Sequence, residues 1–327
     1  MKRREFITLF GGVAAAWPLA AYSQSSIPAV GVLGATTAQE YGEQLTAFRK
    51  GLSEAGFVEG RNVSIEYRWA DNDYDRLPAL AADLIRSRVA VIATLGGNAS
   101  SMAAKAATAT IPVVFHGSLN PVEAGLVASL NRPGGNMTGV VTLNVETGRK
   151  RLELLHELIP EAATIVLLLN PANKAPAEAQ TKDLLAGARD LGLQLRILHA
   201  SSERDFDAVF TTLIQMRAGG LVIGADGFFV GQSEKLAALT VRHAVPAIFQ
   251  NREFAAAGGL MSYGGRSVDS YRFSGVYTGR ILKGEKPADL PVQQVTKVEL
   301  YINLKTAKAL GVKVPLPLSG RADELFE

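Results

Sequence analysis

From residue 27 onward, short apolar runs alternate with segments whose apolar residues recur at helical spacing. Residues 27–33 predict a strand. Tyr41, Leu45, Phe48 and Leu52 then mark a helix that stops at Gly56. The alternation continues with strand 63–69, helix 77–86, strand 89–95, Ala-rich helix 98–108, strand 111–115, helix 121–130 and strand 137–142. Continuous apolar runs suit strands buried on both faces of a parallel sheet, and strand–helix alternation implies right-handed βαβ units.

The pattern then starts again. Leu152, Leu155 and Ile159 mark a helix, followed by strand 164–169, helix 178–191, strand 193–199, helix 204–216, strand 220–223, helix 233–243 and strand 245–249. Residues 252–257 read as a short helix closed by Gly258-Gly259. Strand 260–263, helix 267–282, a proline-bearing connector at 284–291, an extended stretch at 292–302 and a helix at 304–310 complete the chain. Two successive halves of similar size predict two α/β lobes. A two-domain dehydrogenase would give the same coarse pattern, so the pattern alone selects no function.

The N-terminus reads differently. Lys2-Arg3-Arg4 leads into Phe6-Ile7-Thr8-Leu9-Phe10, and Ala21-Tyr22-Ser23 offers the small residues of a cleavage site before Gln24. The apolar stretch is too short for a permanent span. Residues 1–23 are therefore read as an export signal, and Arg3-Arg4-Glu5-Phe6-Ile7 looks like a twin-arginine signature with Lys2 where Ser or Thr is usual. No later segment approaches a membrane-spanning length, so a soluble mature product is expected.

Composition narrows the chemistry. The 327 residues are 47% hydrophobic and 20% charged, which is ordinary for a globular protein. Zero cysteines exclude a disulfide scaffold, a thiolate metal site, a cysteine nucleophile and a lipid-modified N-terminal cysteine. A formal charge of +3, scattered along the chain, gives no reason to expect nucleic acid. Arg149-Lys150-Arg151 is the densest basic run and reads as a solvated helical turn.

Ligands of open parallel sheets bind beyond the carboxyl ends of the strands. The corresponding loops carry Thr36, Gly97-Asn98-Ala99, His116 with Ser118 and Asn120, Asn144, Asn170 with Asn173, Asp226 with Phe228, and Tyr263. Asn98 can cap a helix whose free amides favour a carboxylate, or it can be a cap and nothing more. Asn120-Pro121 with Glu123 reads equally as a helix start. Asp226 is either a turn residue or the partner of a ligand ammonium. Phe228 and Tyr263 are candidates for an aromatic wall, whereas Phe229 reads as core. Phosphate-loop, dinucleotide and nucleophile-elbow motifs are absent, and none of His116, His156, His199 and His243 has the spacing of a metal set. Only His116 stands at a strand's carboxyl end, where packing and catalysis are both open to it.

Several stretches resemble the TrpX-like family of ABC-transporter substrate-binding proteins. They include residues 110–115, Asn120-Pro121 with 124–127, Leu130-Asn131-Arg132-Pro133-Gly134-Gly135-Asn136 continuing to Val140, 252–264, 287–291, 302–311 and Arg321-Ala322-Asp323-Glu324. The resemblance covers nearly all of the mature chain. It implies an α/β fold of two doubly wound parallel-sheet lobes joined by three crossovers, of the type I periplasmic-binding-protein kind. The first lobe would hold residues 27–143 and 265–291, the second 144–264 and 296–320. The implied role is a periplasmic, monomeric receptor with no cofactor and no catalytic step. It would capture a small organic solute, an aromatic or other amino acid, and deliver it to an inner-membrane ABC permease with its ATPase. Gly97-Asn98, Asn120, Glu123 and Gly227 depart from the family's usual residues in the crevice, which leaves the ligand open. The alternatives are a ligand-sensing module for a membrane sensor, and a secreted hydrolase or isomerase using His116 with Asp226.

Overall fold

The computed structural model describes residues 27–265 and 267–327; the candidate export signal and Arg266 lie outside them. The strands are β1 (Ala29–Gly34), β2 (Ser64–Trp69), β3 (Val91–Thr94), β4 (Val113–Gly117), β5 (Met137–Val141), β6 (Thr164–Leu169), β7 (Gln194–His199), β8 (Gly220–Ile223), β9 (Ala247–Phe249), β10 (Met261–Gly265), β11 (Gln293–Gln294), β12 (Val298–Asn303) and β13 (Glu324–Phe326). They form two sheets, ordered β11-β5-β4-β3-β1-β2 and β13-β12-β10-β9-β8-β6-β7. Central strands such as β3, β4 and β5 are buried at every position, and they are mainly apolar with one polar residue each, Thr94, His116 and Thr138.

All pairings in the first sheet are parallel. The second sheet is parallel from β7 to β10, but β12 then runs antiparallel to β10 and β13 follows β12. Residues 292–302 therefore are not one extended element. β11 completes the first sheet past residue 291, and β12 enters the second. A short helix, Leu316–Ser319, and β13, beyond residue 320, were not anticipated. Three residues of edge strand leave too little periodicity to detect.

Helices Gly42–Glu54 and Ser267–Leu282 pack on one face of the first sheet around Phe48, Leu52 and Tyr271. Their backbones touch at glycines. A Cβ on Gly51 would fall 1.8 Å from the Arg272 carbonyl oxygen, and one on Gly275 would fall 2.0 Å from that of Phe48. The expected helix over 121–130 is a single turn instead. Gly125 takes φ +69°, and the Leu126 amide bonds back to the Pro121 carbonyl, a left-handed closure that ends the turn.

The chain leaves the first sheet after β5, returns through helix Ser267–Leu282 and crosses again between β11 and β12. The crossovers are tied together. Asn144 Oδ1 accepts from the Gly265 amide at 3.0 Å, and the Val295 amide donates to the Val141 carbonyl at 2.9 Å. Arg151 overturns its sequence reading, because it is fully buried while Arg149 and Lys150 remain at the surface in ion pairs. Its guanidinium donates to Asn144 O at 2.7 Å, Thr147 Oγ1 at 2.9 Å and Tyr263 O at 3.3 Å, so one side chain grips two crossovers.

The helix contact at Gly51 has no room for a methyl group. Gly51→Ala is expected to lower the unfolding free energy by about 1–3 kcal/mol, measured by urea denaturation, whereas Gly42→Ala, which meets open space, should not.

Candidate functional site

The carboxyl ends of β1, β3 and β4 face those of β6, β8 and β9 across the gap between lobes, and the lobes touch there. Tyr74 of the first lobe donates to Asp226 of the second at 3.2 Å, and Gln232 Nε2 donates to Glu40 Oε1 at 2.6 Å. Between them lies a cavity of about 40 Å³ bordered by Tyr41, Gly97, Asn98, His116, Ser118, Thr142, Asn144, Asn173, Asp226, Gln250 and Tyr271, among others.

Asp226 is the charged group of this cavity. It precedes the short helix Gly227–Gly231, whose Phe228 amide it caps at 3.0 Å. Asn170 Nδ2 donates to the same carboxylate at 2.9 Å and Asn173 Nδ2 at 2.8 Å. Every donor is neutral, and no cation among the described residues pairs with it. Burial pushes the Asp226 carboxyl above the usual carboxylate range, against the pull of its hydrogen bonds from Asn170, Asn173, Phe228 and Tyr74.

Helix Asn98–Ala107 begins at the opposite wall. The cap is Gly97, not Asn98, because the backbone there takes φ +74° and ψ −154°, which suits glycine. Glycine has no side chain to satisfy the first amides, and the helix start is left without a side-chain cap. Asn98 is the first helical residue. Its side-chain Nδ2 donates to Ser118 Oγ at 2.9 Å, while its Oδ1 is buried without a partner.

His116 stacks on Tyr271 with centroids 4.2 Å apart, and its Nε2 lies 2.9 Å from Ser270 Oγ. Desolvation lowers its pKa from 6.5 to about 4, so it is neutral at physiological pH. Its hydrogen-bond partner is Ser270, and those of Asp226 are Tyr74, Asn170, Asn173 and Phe228; the two do not form an acid–base pair.

The structure thus brings Gly97, Asn98, His116, Ser118, Asn144, Asn173 and Asp226 to one cavity. Ala99 and Asn120 border a neighbouring chamber that shares Asn98 and Asn173 with it. Thr36 and Asn170 are buried behind the wall, Asn170 as a support for Asp226. Phe228 is corrected: it turns into the second lobe's core and stacks on Phe206 at 5.6 Å, because the helical turn after Asp226 points it inward. Tyr263 likewise packs on the core of that lobe and offers its carbonyl to Arg151. The aromatic wall comes from Tyr41 and Tyr271 instead. Tyr41 stands at the start of the first helix, a position the loop reading passed over.

Two α/β lobes joined by three crossovers, meeting over a polar cavity, define a two-lobed solute-binding protein. Residues 30–326 match the family described as ABC transporter substrate binding protein, and the chain belongs to that family. It is a family of substrate-binding proteins, not of enzymes. A tyrosine-binding protein of Clostridioides difficile (strain R20291) is 27% identical over 270 residues, covering 81% of this chain and 76% of its own. Among solved structures, a conserved domain protein from Vibrio cholerae has a TM-score of 0.82 at 23% identity, covering 91% of this chain and 99% of its own. An ABC domain in complex with L-Trp from Streptococcus pneumonia has a TM-score of 0.81 at 22% identity, covering 92% and 100%. Among the described residues no helix is long and apolar enough to cross a membrane.

Native His116 resists protonation that the unfolded chain accepts. Its contribution to stability is complete above the unfolded pKa and is lost as pH falls from about 6.5 to about 4. The loss should reach about 3 kcal/mol. His116→Gln should lose correspondingly less over that interval, measured by urea denaturation at a series of pH values.

Proposed function

We propose that this protein is an exported, monomeric receptor of an ABC importer. It closes on a small zwitterion, an amino acid, and presents it to an inner-membrane permease with its ATPase. The observation that carries this reading is the Asp226 carboxylate, buried at the cavity with four neutral donors and no cation beside it among the described residues. A ligand ammonium supplies the missing charge. Across the cavity, the uncapped start of helix Asn98–Ala107 offers amides and the positive end of a dipole to the ligand carboxylate. The names of the tyrosine-binding relative and the L-Trp complex support amino acids as the ligand class. Capture needs no covalent step. Closure is favoured because contacts to both lobes exist together only when they meet.

Calorimetry of Asp226→Asn tests the site. Loss of a buried charged contact should weaken amino acids about 30-fold or more, and the matching deaminated acids much less. The ligand-free variant should stay folded with a modestly lower unfolding midpoint, since its remaining oxygen can keep the Asn170, Phe228 and Tyr74 bonds while its NH2 cannot accept from Asn173. Unchanged affinity for every ligand would reduce Asp226 to a helix cap.

The basic and then apolar N-terminus supports export to the periplasm. The mature chain should begin near Gln24, and Arg3→Lys with Arg4→Lys should hold the precursor in the cytoplasm, as read by cell fractionation. Export that persists in the double variant would assign the general secretory route; an intact cytoplasmic precursor in the wild type would refute export.

A further inference from the structure

Beside the central cavity lies the larger chamber, of about 540 Å³, built by both lobes. Met102, Leu119 and Leu126 of the first lobe and Pro176 of the second make its walls predominantly apolar. Its charged groups are unbalanced. Glu123 comes from the first lobe, Glu146 from the first crossover and Asp183 from the second lobe; the cations are Lys174 in the lining and the buried Arg151, which Asp183 attracts from outside it. No ion pair joins these carboxylates to a cation among the described residues. Glu123 and Glu146 are exposed to solvent, and partial desolvation, with a smaller push from the Glu123 and Asp183 charges, holds the Glu146 carboxyl above its usual range against backbone hydrogen bonds at Glu146 and Asn120. Asn98 borders both chambers, is buried, and has an Oδ1 that lacks a donor.

Carboxylates with neutral donors but no ion pair, an Asn98 oxygen that lacks a donor, and an apolar wall specify what fits. We propose that this chamber is a side-chain compartment for a ligand whose apolar stem ends in a positive charge, so that the preferred substrate is a basic, long-chain amino acid. The inference rests on the reading of Asp226 as the ammonium partner and extends it to the distal end of the same molecule. The stem lies along Met102, Leu119 and Pro176, as long cationic side chains do on apolar surfaces. Its charge offsets the like charges that Glu123, Glu146 and Asp183 bring to the chamber. An anionic side chain is rejected by the same groups.

Calorimetry with L-alanine, L-norleucine, L-lysine and cadaverine separates the possibilities. The wild type should bind L-lysine about tenfold tighter than L-norleucine, and Glu146→Gln with Asp183→Asn should abolish that preference while leaving L-alanine unaffected. Ala179→Trp, which fills the chamber from a partly exposed helix position, should weaken both long ligands and spare L-alanine. A wild type that prefers L-norleucine, or a lysine preference that survives the double variant, overturns the proposal and leaves the amino-acid reading standing. Cadaverine binding that is lost in the double variant, with no amino acid bound, keeps the charged chamber and removes Asp226 as an ammonium partner. No binding of any of the four overturns both.

Discussion

Two charges taken out of water with no ion pair among the described residues, Asp226 and Arg151, set the terms for the rest of the structure. Burying an ion costs several kcal/mol even after relaxation, so each must be surrounded by hydrogen bonds that nothing else supplies. Arg151 finds its acceptors on the carbonyls of Asn144 and Tyr263 and the Thr147 hydroxyl. Burial still lowers its pKa to about 10. The cost of the buried cation is thereby tied to crossover geometry, because moving either strand removes an acceptor. Asp226 is solvated by Asn170, Asn173 and the Phe228 amide from its own lobe, and by Tyr74 from the other. Its environment is complete only while the lobes touch.

The contacts that close the cleft sit at its edge and depend on small residues. Glu40 gathers Thr37, Asn72 and Gln232 around one carboxylate, so a first-lobe loop and a second-lobe helix end share an acceptor. A Cβ on Gly227 would lie 3.2 Å from the Tyr41 hydroxyl and 3.6 Å from the Gly96 carbonyl oxygen. Glycine at 227 leaves that contact unstrained, where a Cβ would crowd the Tyr41 hydroxyl. The polar half of the cavity is otherwise neutral: His116 is held uncharged by burial, and Asn98, Ser118, Asn144 and Asn173 carry no charge at any pH.

The parts of this architecture that repeat were legible in the sequence. β6, helix Leu77–Arg86 and helix Ser267–Leu282 stand where apolar period and flanking breakers placed them. The loops after β3, β4, β6 and β8 converge because strand ends in parallel sheets point the same way. What escaped was decided by partners distant in sequence or by a single local turn that leaves no periodicity. Arg151 sits in a basic run that looks solvated, and only the fold delivers Asn144 and Tyr263 to it. Tyr271 belongs to a helix that returns to the first lobe after a second-lobe strand, so no local signal assigns it to the cleft. Phe228 was misplaced because one helical turn after Asp226, invisible in a stretch with two glycines, rotates it into the core.

The same charge bookkeeping connects binding to motion. In this structure Asp226 is buried without a paired cation among the described residues, and Glu123, Glu146 and Asp183 share one chamber with Glu123 and Glu146 exposed. On the proposed reading, a cationic group at either place adds an attraction that the empty cleft lacks. The difference between empty and loaded closure is then set by the ligand's own charges, which is the condition for a solute to shift the equilibrium at all. Hydrogen bonds from Asn170, Asn173 and Tyr74 keep the carboxylate in place without neutralising it. A lysine or arginine in their positions would stabilise the closed state whether or not solute was present, and closure would no longer report capture.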